Sequence, residues 1–217
     1  MTENSISSSS FSSERTKCQM KSSGIPWIGE IPSDWMKNTI GRLSDSISSG
    51  GTPKAGDSRF YTDEGVSFVS ISDMSNVDYV TQTNKHLTEL GIKDKKLTVY
   101  PAGTILYSIY ATLGKVSELA IPAAINQAML AIVPSEELDK GYFKYSLKAM
   151  ENYIVSVSNG NTQNNLSAEI VSHAVIPLPP IEVQKRISVL LDNRCNLIDS
   201  QISSVEDSVS KIEYLKQ

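Results

Sequence analysis

The 217 residues are 40% hydrophobic and 20% charged, an ordinary globular composition that holds one sizeable core and a small appendage. Twenty Lys and Arg against 24 Asp and Glu leave a net charge of −4, which argues against a chain that grips nucleic acid by charge alone. Cys18 and Cys195 are far apart, and His86 and His173 are the only histidines, so neither a disulfide framework nor a zinc ligand set is present and no metal is expected.

Residues 1–23 contain nine serines and almost nothing apolar, so they cannot offset the entropy of ordering and are expected to form a disordered tail. They also lack the apolar core of a secretory signal, and no later stretch approaches the roughly 18 apolar residues of a membrane span. A cytoplasmic protein without membrane contact is the expectation. In residues 24–35, Pro26, Pro32, Gly24 and Gly29 forbid a regular helix while Trp27 and Trp35 supply apolar anchors. An extended strap against the domain should result.

Residues 66–71 alternate small polar and apolar side chains, and 104–109 and 128–133 are short apolar runs bounded by turn residues; all three read as strands. Between the first two, the charged run 89–96 reads as a solvated turn. Residues 140–155 carry Tyr142, Phe143, Leu147, Met150 and Ile154 at the spacing of one amphipathic helix. The domain over 24–178 is therefore α/β, a mixed α+β fold. The PLPP run at 177–180 ends a strand and, because proline suits a first helical turn, starts a long helix near Pro180 or Ile181 within a segment spanning 179–217. Along it Leu191, Cys195, Ile198, Ile202, Val205, Val209 and Ile212 recur at alternating steps of four and three, a coiled-coil seam. The other reading, a helix lying on its own domain, fits the polar flanks less well. A coiled coil needs a second helix, and this chain holds no other heptad segment.

No catalytic centre emerges. The single Pro-Pro, Pro179 and Pro180, lies between Leu178 and Ile181 and is not a methyltransferase tetrapeptide, and no glycine-rich cofactor turn follows a strand. Neither histidine stands in a nucleophile motif. No catalytic residue and no cofactor are assigned.

Residues 25–35 (IPWIGEIPSDW), 49–53 (SGGTP), 126–128 (NQA), 160–166 (GNTQNNL) and 176–187 (IPLPPIEVQKRI), in this order and spacing, resemble the specificity subunits of type I restriction-modification systems. The resemblance implies a target-recognition domain that reads double-stranded DNA and a long helix that docks modification (methyltransferase) subunits. The restriction subunit would join indirectly, and adenine-N6 methylation with its S-adenosylmethionine would belong to the modification subunit. A full specificity subunit repeats the domain-plus-helix unit, whereas this chain carries one. A natural half-length subunit, a shortened gene and a portion of a longer chain all fit. One unit implies a homodimer through the helix, antiparallel by resemblance, reading an interrupted palindrome. The rival readings are a scaffold or decoy that binds modification subunits without reading DNA, and a nuclease.

On that reading, residues 50–115 are the favoured face, with seven basic residues against three in 116–180. Thr52, Lys54 and Arg59 follow the Gly50-Gly51 turn; Tyr107, Ser108, Tyr110, Thr112 and Lys115 interleave aromatic, hydroxyl and basic groups suited to phosphate and base edges. Asn161, Gln163 and Asn164 offer amides that can bond adenine or build a turn. Asn126 and Gln127 are expected to have a buried structural role, and both tryptophans to be packing anchors.

Overall fold

The computed structural model describes residues 19–75, 77–159 and 166–215. In chain order these form β1 (Met20–Ile25), β2 (Ile28–Pro32), β3 (Met36–Thr39), β4 (Ser44–Ser49), β5 (Tyr61–Thr62), β6 (Val66–Val69), β7 (Tyr79–Val80), β8 (Lys85–Leu87), α1 (Glu89–Lys95), β9 (Ile105–Ser108), β10 (Val116–Leu119), β11 (Ala124–Ile125), β12 (Met129–Pro134), α2 (Lys140–Ala149), α3 (Glu151–Asn159), α4 (Ala168–His173), β13 (Val175–Leu178) and α5 (Ile181–Leu215). The mixed α/β domain with a long final helix is thus as expected.

The principal sheet has the order β4-β12-β9-β10-β7, and a smaller one the order β11-β6-β8-β5. Period-two alternation sends the side chains of β9 and β12 to opposite faces. Ile105, Tyr107, Leu130 and Ile132 join Phe143 and Leu147 of α2 in one cluster, while Leu106, Met129 and Ala131 meet Val69 and Ile125 of the smaller sheet in another. Covered on both sides, these strands read as unbroken apolar runs rather than alternating ones.

Four local expectations are corrected. Residues 1–18 of the expected tail lie outside the described residues, but its last residues form a strand: β1 includes Ser22 and Ser23, pairs antiparallel with β2, and buries Ile25 and Ile31. Ser23 folds back, its hydroxyl donating to the Ile28 carbonyl and accepting from Ile25 N–H at 2.9 Å, so these serines serve a hairpin rather than a tail. The strap is this hairpin, with Trp27 packed against the larger core cluster. The strand expected over 66–71 stops at Val69, because Ser70 opens a 3-10 turn in which its N–H donates to Asp73 Oδ2 at 2.8 Å. The charged run 89–96 is the helix α1, with Thr88 Oγ1 accepting from Gly91 N–H at 3.1 Å as its N-cap. Finally, 140–155 is two helices, α2 and α3, meeting at Met150. No Gly or Pro marks that break, and Met150 and Ile154 remain in the same core as Phe143 and Leu147, so the apolar period runs through it.

Helix α5 begins at Ile181, as the proline run predicts, with Val183 and Gln184 N–H donating to the Pro180 carbonyl. Its first turns lie against α2. Tyr142 donates its hydroxyl to the Pro177 carbonyl at 2.8 Å, and Tyr145 donates to Asp192 Oδ1 at 2.7 Å. On its other side α2 is tied to β10: Glu118 accepts from Lys140 at 2.7 Å and pairs with Lys144 at 3.3 Å. Burial works against the charge on Lys144, yet its interactions with the Tyr79 hydroxyl and the Glu118 carboxylate prevail and raise its pKa. Among the described side chains of α5, every one from Asp192 onward is exposed.

Candidate functional site

Antiparallel pairing of β4, β12, β9 and β10 brings Ser49, Met129, Ser108 and Val116 to one end of the principal sheet. The connections leaving that end, 50–54, 109–115 and 126–128, therefore converge although they are far apart in sequence. Thr52 Oγ1 bonds Gln127 Oε1 across 75 positions, Ile109 N–H donates to the Ala128 carbonyl at 2.9 Å, and Leu166 N–H donates to the Ile109 carbonyl at 3.2 Å. Convergent loops on a packed sheet are the usual way a fold presents contact residues.

The loop after β9 is built by Ser108. Its hydroxyl donates to the Thr112 carbonyl and accepts from Lys115 N–H at 2.9 Å, while Ala111 (φ 64°) and Gly114 (φ 80°) make the left-handed turns. Tyr110 and Thr112 stand exposed at its apex, and Lys115 reaches Glu151 at 2.8 Å. Two predicted contact residues are corrected here. Tyr107 and Ser108 are each 0% exposed. Tyr107 belongs to the core because β9 has no solvent face, and Ser108 shapes the loop from beneath. Burial pushes the Tyr107 phenol far above its ordinary pKa, with the Glu151 charge adding to it.

Thr52 is half-buried against Gln127, and Lys54 is exposed. Gln127 is exposed and Asn126 half-buried, so neither is buried as expected, though Asn126 does shape the loop, its Oδ1 accepting from Ala128 N–H at 3.0 Å. Arg59 grips Asp57 through Nε at 2.9 Å and Nη2 at 2.7 Å, which lowers the Asp57 pKa to about 2 and leaves Arg59 charged. Beside this pair an open groove of about 580 Å3 runs between 55–58, Tyr61–Thr62 and 84–86, so Lys85, counted among the seven basic residues of 50–115, stands beside Asn84 and His86, which sequence reasoning did not single out as contacts. Their signal was weak, for Asn84 precedes and Lys85 and His86 open a strand of only three residues, within a polar run that carries no motif. Asn161, Gln163 and Asn164 lie outside the described residues. Among the described residues, no three His, Cys, Asp or Glu side chains converge to hold a metal, and no helix is long and apolar enough to cross a membrane.

The predicted seam divides in two. Leu191 is half-buried and Cys195 lies beside Tyr145 of α2, so the seam begins as a contact with the domain itself. Beyond it Ile198, Ile202, Val205, Val209 and Ile212 continue down one side of the helix, between 48% and 61% exposed.

The chain is thus an α/β domain whose loops converge at one end of its principal sheet, followed by a long helix with an open apolar seam. Residues 32–206 match the type I restriction modification DNA specificity domain, and the chain belongs to that family. It is 30% identical over 179 residues to the type I restriction enzyme HindI specificity subunit of Haemophilus influenzae, covering 79% of this chain and 39% of that protein. With the MjaIX specificity subunit of Methanocaldococcus jannaschii it shares 27% over 178 residues, 80% of this chain and 41% of the relative. The chain thus spans about two-fifths of the length of these curated relatives. Among solved structures, a chain from work on complex assembly and conformational transition of the type I R-M system superposes with a TM-score of 0.69 at 20% identity, covering 85% of this chain and 44% of that one. The HsdS subunit from Thermoanaerobacter tengcongensis gives 0.59 at 20% identity, over 78% and 39%. At that identity the likeness is one of fold.

Proposed function

We propose that this chain is a non-catalytic specificity subunit that reads one half of a bipartite DNA target in the cytoplasm. The observation that carries the reading is the convergence of loops 50–54, 109–115 and 126–128 at one end of the principal sheet, in a chain whose family is that of type I DNA specificity domains. Hydroxyl, amide, aromatic and basic groups there suit contacts to base edges and phosphates. The free length of α5 docks modification subunits and pairs with the helix of a second copy. Adenine-N6 methylation and its S-adenosylmethionine belong to the modification subunit, and the restriction subunit joins through it. Two antiparallel helices about a two-fold axis place identical domains on two half-sites about one helical turn apart, so the target is an interrupted palindrome.

The test is co-purification of the chain with modification subunits followed by methylation mapping on genomic DNA. A methylated bipartite palindrome supports the reading. A stable complex that methylates no defined sequence points instead to a scaffold, the reading that the net charge of −4 favours. Cutting of DNA by the isolated chain would replace both.

A further inference from the structure

We infer that a small pocket between the Gly50-Gly51 turn and the end of α1 is a seat for one backbone phosphate of the bound DNA. The inference rests on the reading of the chain as a DNA-recognition subunit and adds Lys95 and Lys96 to the contact face. The pocket has a volume of about 130 Å3, and its lining includes Ser48, Ser49, Gly51, Lys95, Lys96 and Thr98 and no carboxylate. Small-molecule sites usually enclose about 300–1,000 Å3, so this one is scaled to a single group. Hydroxyls and ammoniums around such a space match a phosphodiester, whose oxygens accept hydrogen bonds and carry negative charge.

The local backbone is shaped for close approach. A Cβ on Gly50 would meet the Ile125 carbonyl oxygen at 2.0 Å, and one on Gly51 would meet Leu97 Cδ2 at 3.2 Å. Only glycine fits at position 50, position 51 is tight against the Leu97 side chain, and Gly51 N–H locks the turn by donating to the Ile125 carbonyl at 3.1 Å. On the other wall α1 ends in a left-handed residue, a position usually held by glycine, and here that residue is Lys96 (φ 50°). Its N–H caps the Ile92 and Lys93 carbonyls, and Leu97 N–H also donates to Ile92 at 2.9 Å. With those carbonyls satisfied, the exposed lysine side chains set the local charge. Lys96 makes no ion pair with any described residue, and Lys95 reaches only its neighbour Asp94, at 3.8 Å. The seat adjoins Thr52 and Lys54 on the next residues of the same loop, so a phosphate held there fixes the position of the duplex against the loop cluster without reading its sequence.

The experiment measures binding of the assembled complex with modification subunits to its methylation target and to an unrelated duplex over a series of salt concentrations. The Lys95→Gln, Lys96→Gln double variant is expected to weaken both duplexes by the same factor and to reduce the slope of log affinity against log salt by about 1, the value of one phosphate contact. Lys93→Gln is the control, since Lys93 pairs with Glu89 at 3.2 Å and does not line the pocket; it should leave the slope unchanged. An unchanged slope in the double variant, or an equal effect of Lys93→Gln, overturns the phosphate seat while DNA reading stands. Absence of binding to either duplex by the unmodified complex overturns DNA reading, and the seat with it.

Discussion

Gln184 and Asp139, 45 positions apart, are joined by a hydrogen bond in which Asp139 N–H donates to Gln184 Oε1 at 2.9 Å. Gln184 is 2% exposed, and its Nε2 donates in turn to the Pro179 carbonyl at 2.9 Å. One buried amide therefore satisfies the start of α2 and the start of α5 together, which fixes where the long helix leaves the domain.

Replacing Gln184 by alanine leaves the Asp139 N–H and the Pro179 carbonyl without this partner. At about 1–3 kcal/mol for each buried polar group left unpaired, the domain should lose on the order of 2–6 kcal/mol. Urea denaturation of the full chain measures it. A loss below about 0.5 kcal/mol would mean that water replaces the amide and that the joint is looser than its geometry implies.

Alanine at Lys54, Tyr110, Thr112, Lys115 or Gln163 should slow methylation of the target while assembly with modification subunits is retained, because none of these positions belongs to the apolar seam of 191–212. A base-edge contact should cost about 1–3 kcal/mol of discrimination at one position of the target; a phosphate contact should weaken all duplexes alike. Lys115 already pairs with Glu151, so its effect should be the smaller of the lysine pair. Normal rates in all five variants would locate the reading face elsewhere.

The two core tyrosines give a test by pH. Tyr142 is raised to about 12 chiefly by burial, and Tyr107 is pushed up by burial with Glu151 adding to it. An unfolded tyrosine ionises near pH 10. Between about pH 10 and 12 the unfolded chain therefore releases protons that the folded chain keeps, so their stabilising contribution is full below pH 10 and lost as pH rises through 12. The denaturation midpoint should fall across that window. Tyr107→Phe should shallow the fall, and since the buried Tyr107 hydroxyl has no hydrogen-bond partner among the described residues, it should also raise stability at pH 7 by about 1 kcal/mol. An unchanged alkaline limb in Tyr107→Phe would rule out its share.

The start of α5 was legible because Pro179 and Pro180 bar a helix before them and suit its first turn, and β9 and β12 were legible as short apolar runs. The burial of Tyr107 and Ser108 was not. A strand covered on both faces has no polar side to reveal which residues are inward, so an aromatic and a hydroxyl near a loop look like contacts. The smaller sheet includes strands of two or three residues, too short for any period to register. The meeting of Thr52 with Gln127 depends on strand order, which local pattern does not encode. The Lys95–Lys96 wall was hidden for a similar reason: a charged run looks solvated until the glycine turn packed against it is known.

The open seam leads to the last prediction. A 35-residue helix is about 52 Å long, and only its first turns are held by the domain. Leu191 and Cys195 mark the transition, after which Ile198, Ile202, Val205, Val209 and Ile212 hold a 3-4 spacing and stand exposed among the described residues. Apolar residues in a heptad row associate because pairing removes them from water, each contributing about 25 cal/mol per Å2 covered. Two copies of this chain should therefore associate through α5. Aspartate at both Ile198 and Ile202 would place carboxylates in the seam, where their desolvation opposes pairing. Neither residue touches the domain core, so the loss should appear in association and not in folding. Sedimentation at tens of micromolar should show a dimer for the parent chain and a monomer for the double variant, with unchanged thermal unfolding of the domain. Methylation of a palindromic bipartite site should disappear with the dimer. A parent chain that sediments as a monomer, with an asymmetric methylation target, would mean that a different helix fills the seam and that the second half-site is read by a domain unlike this one.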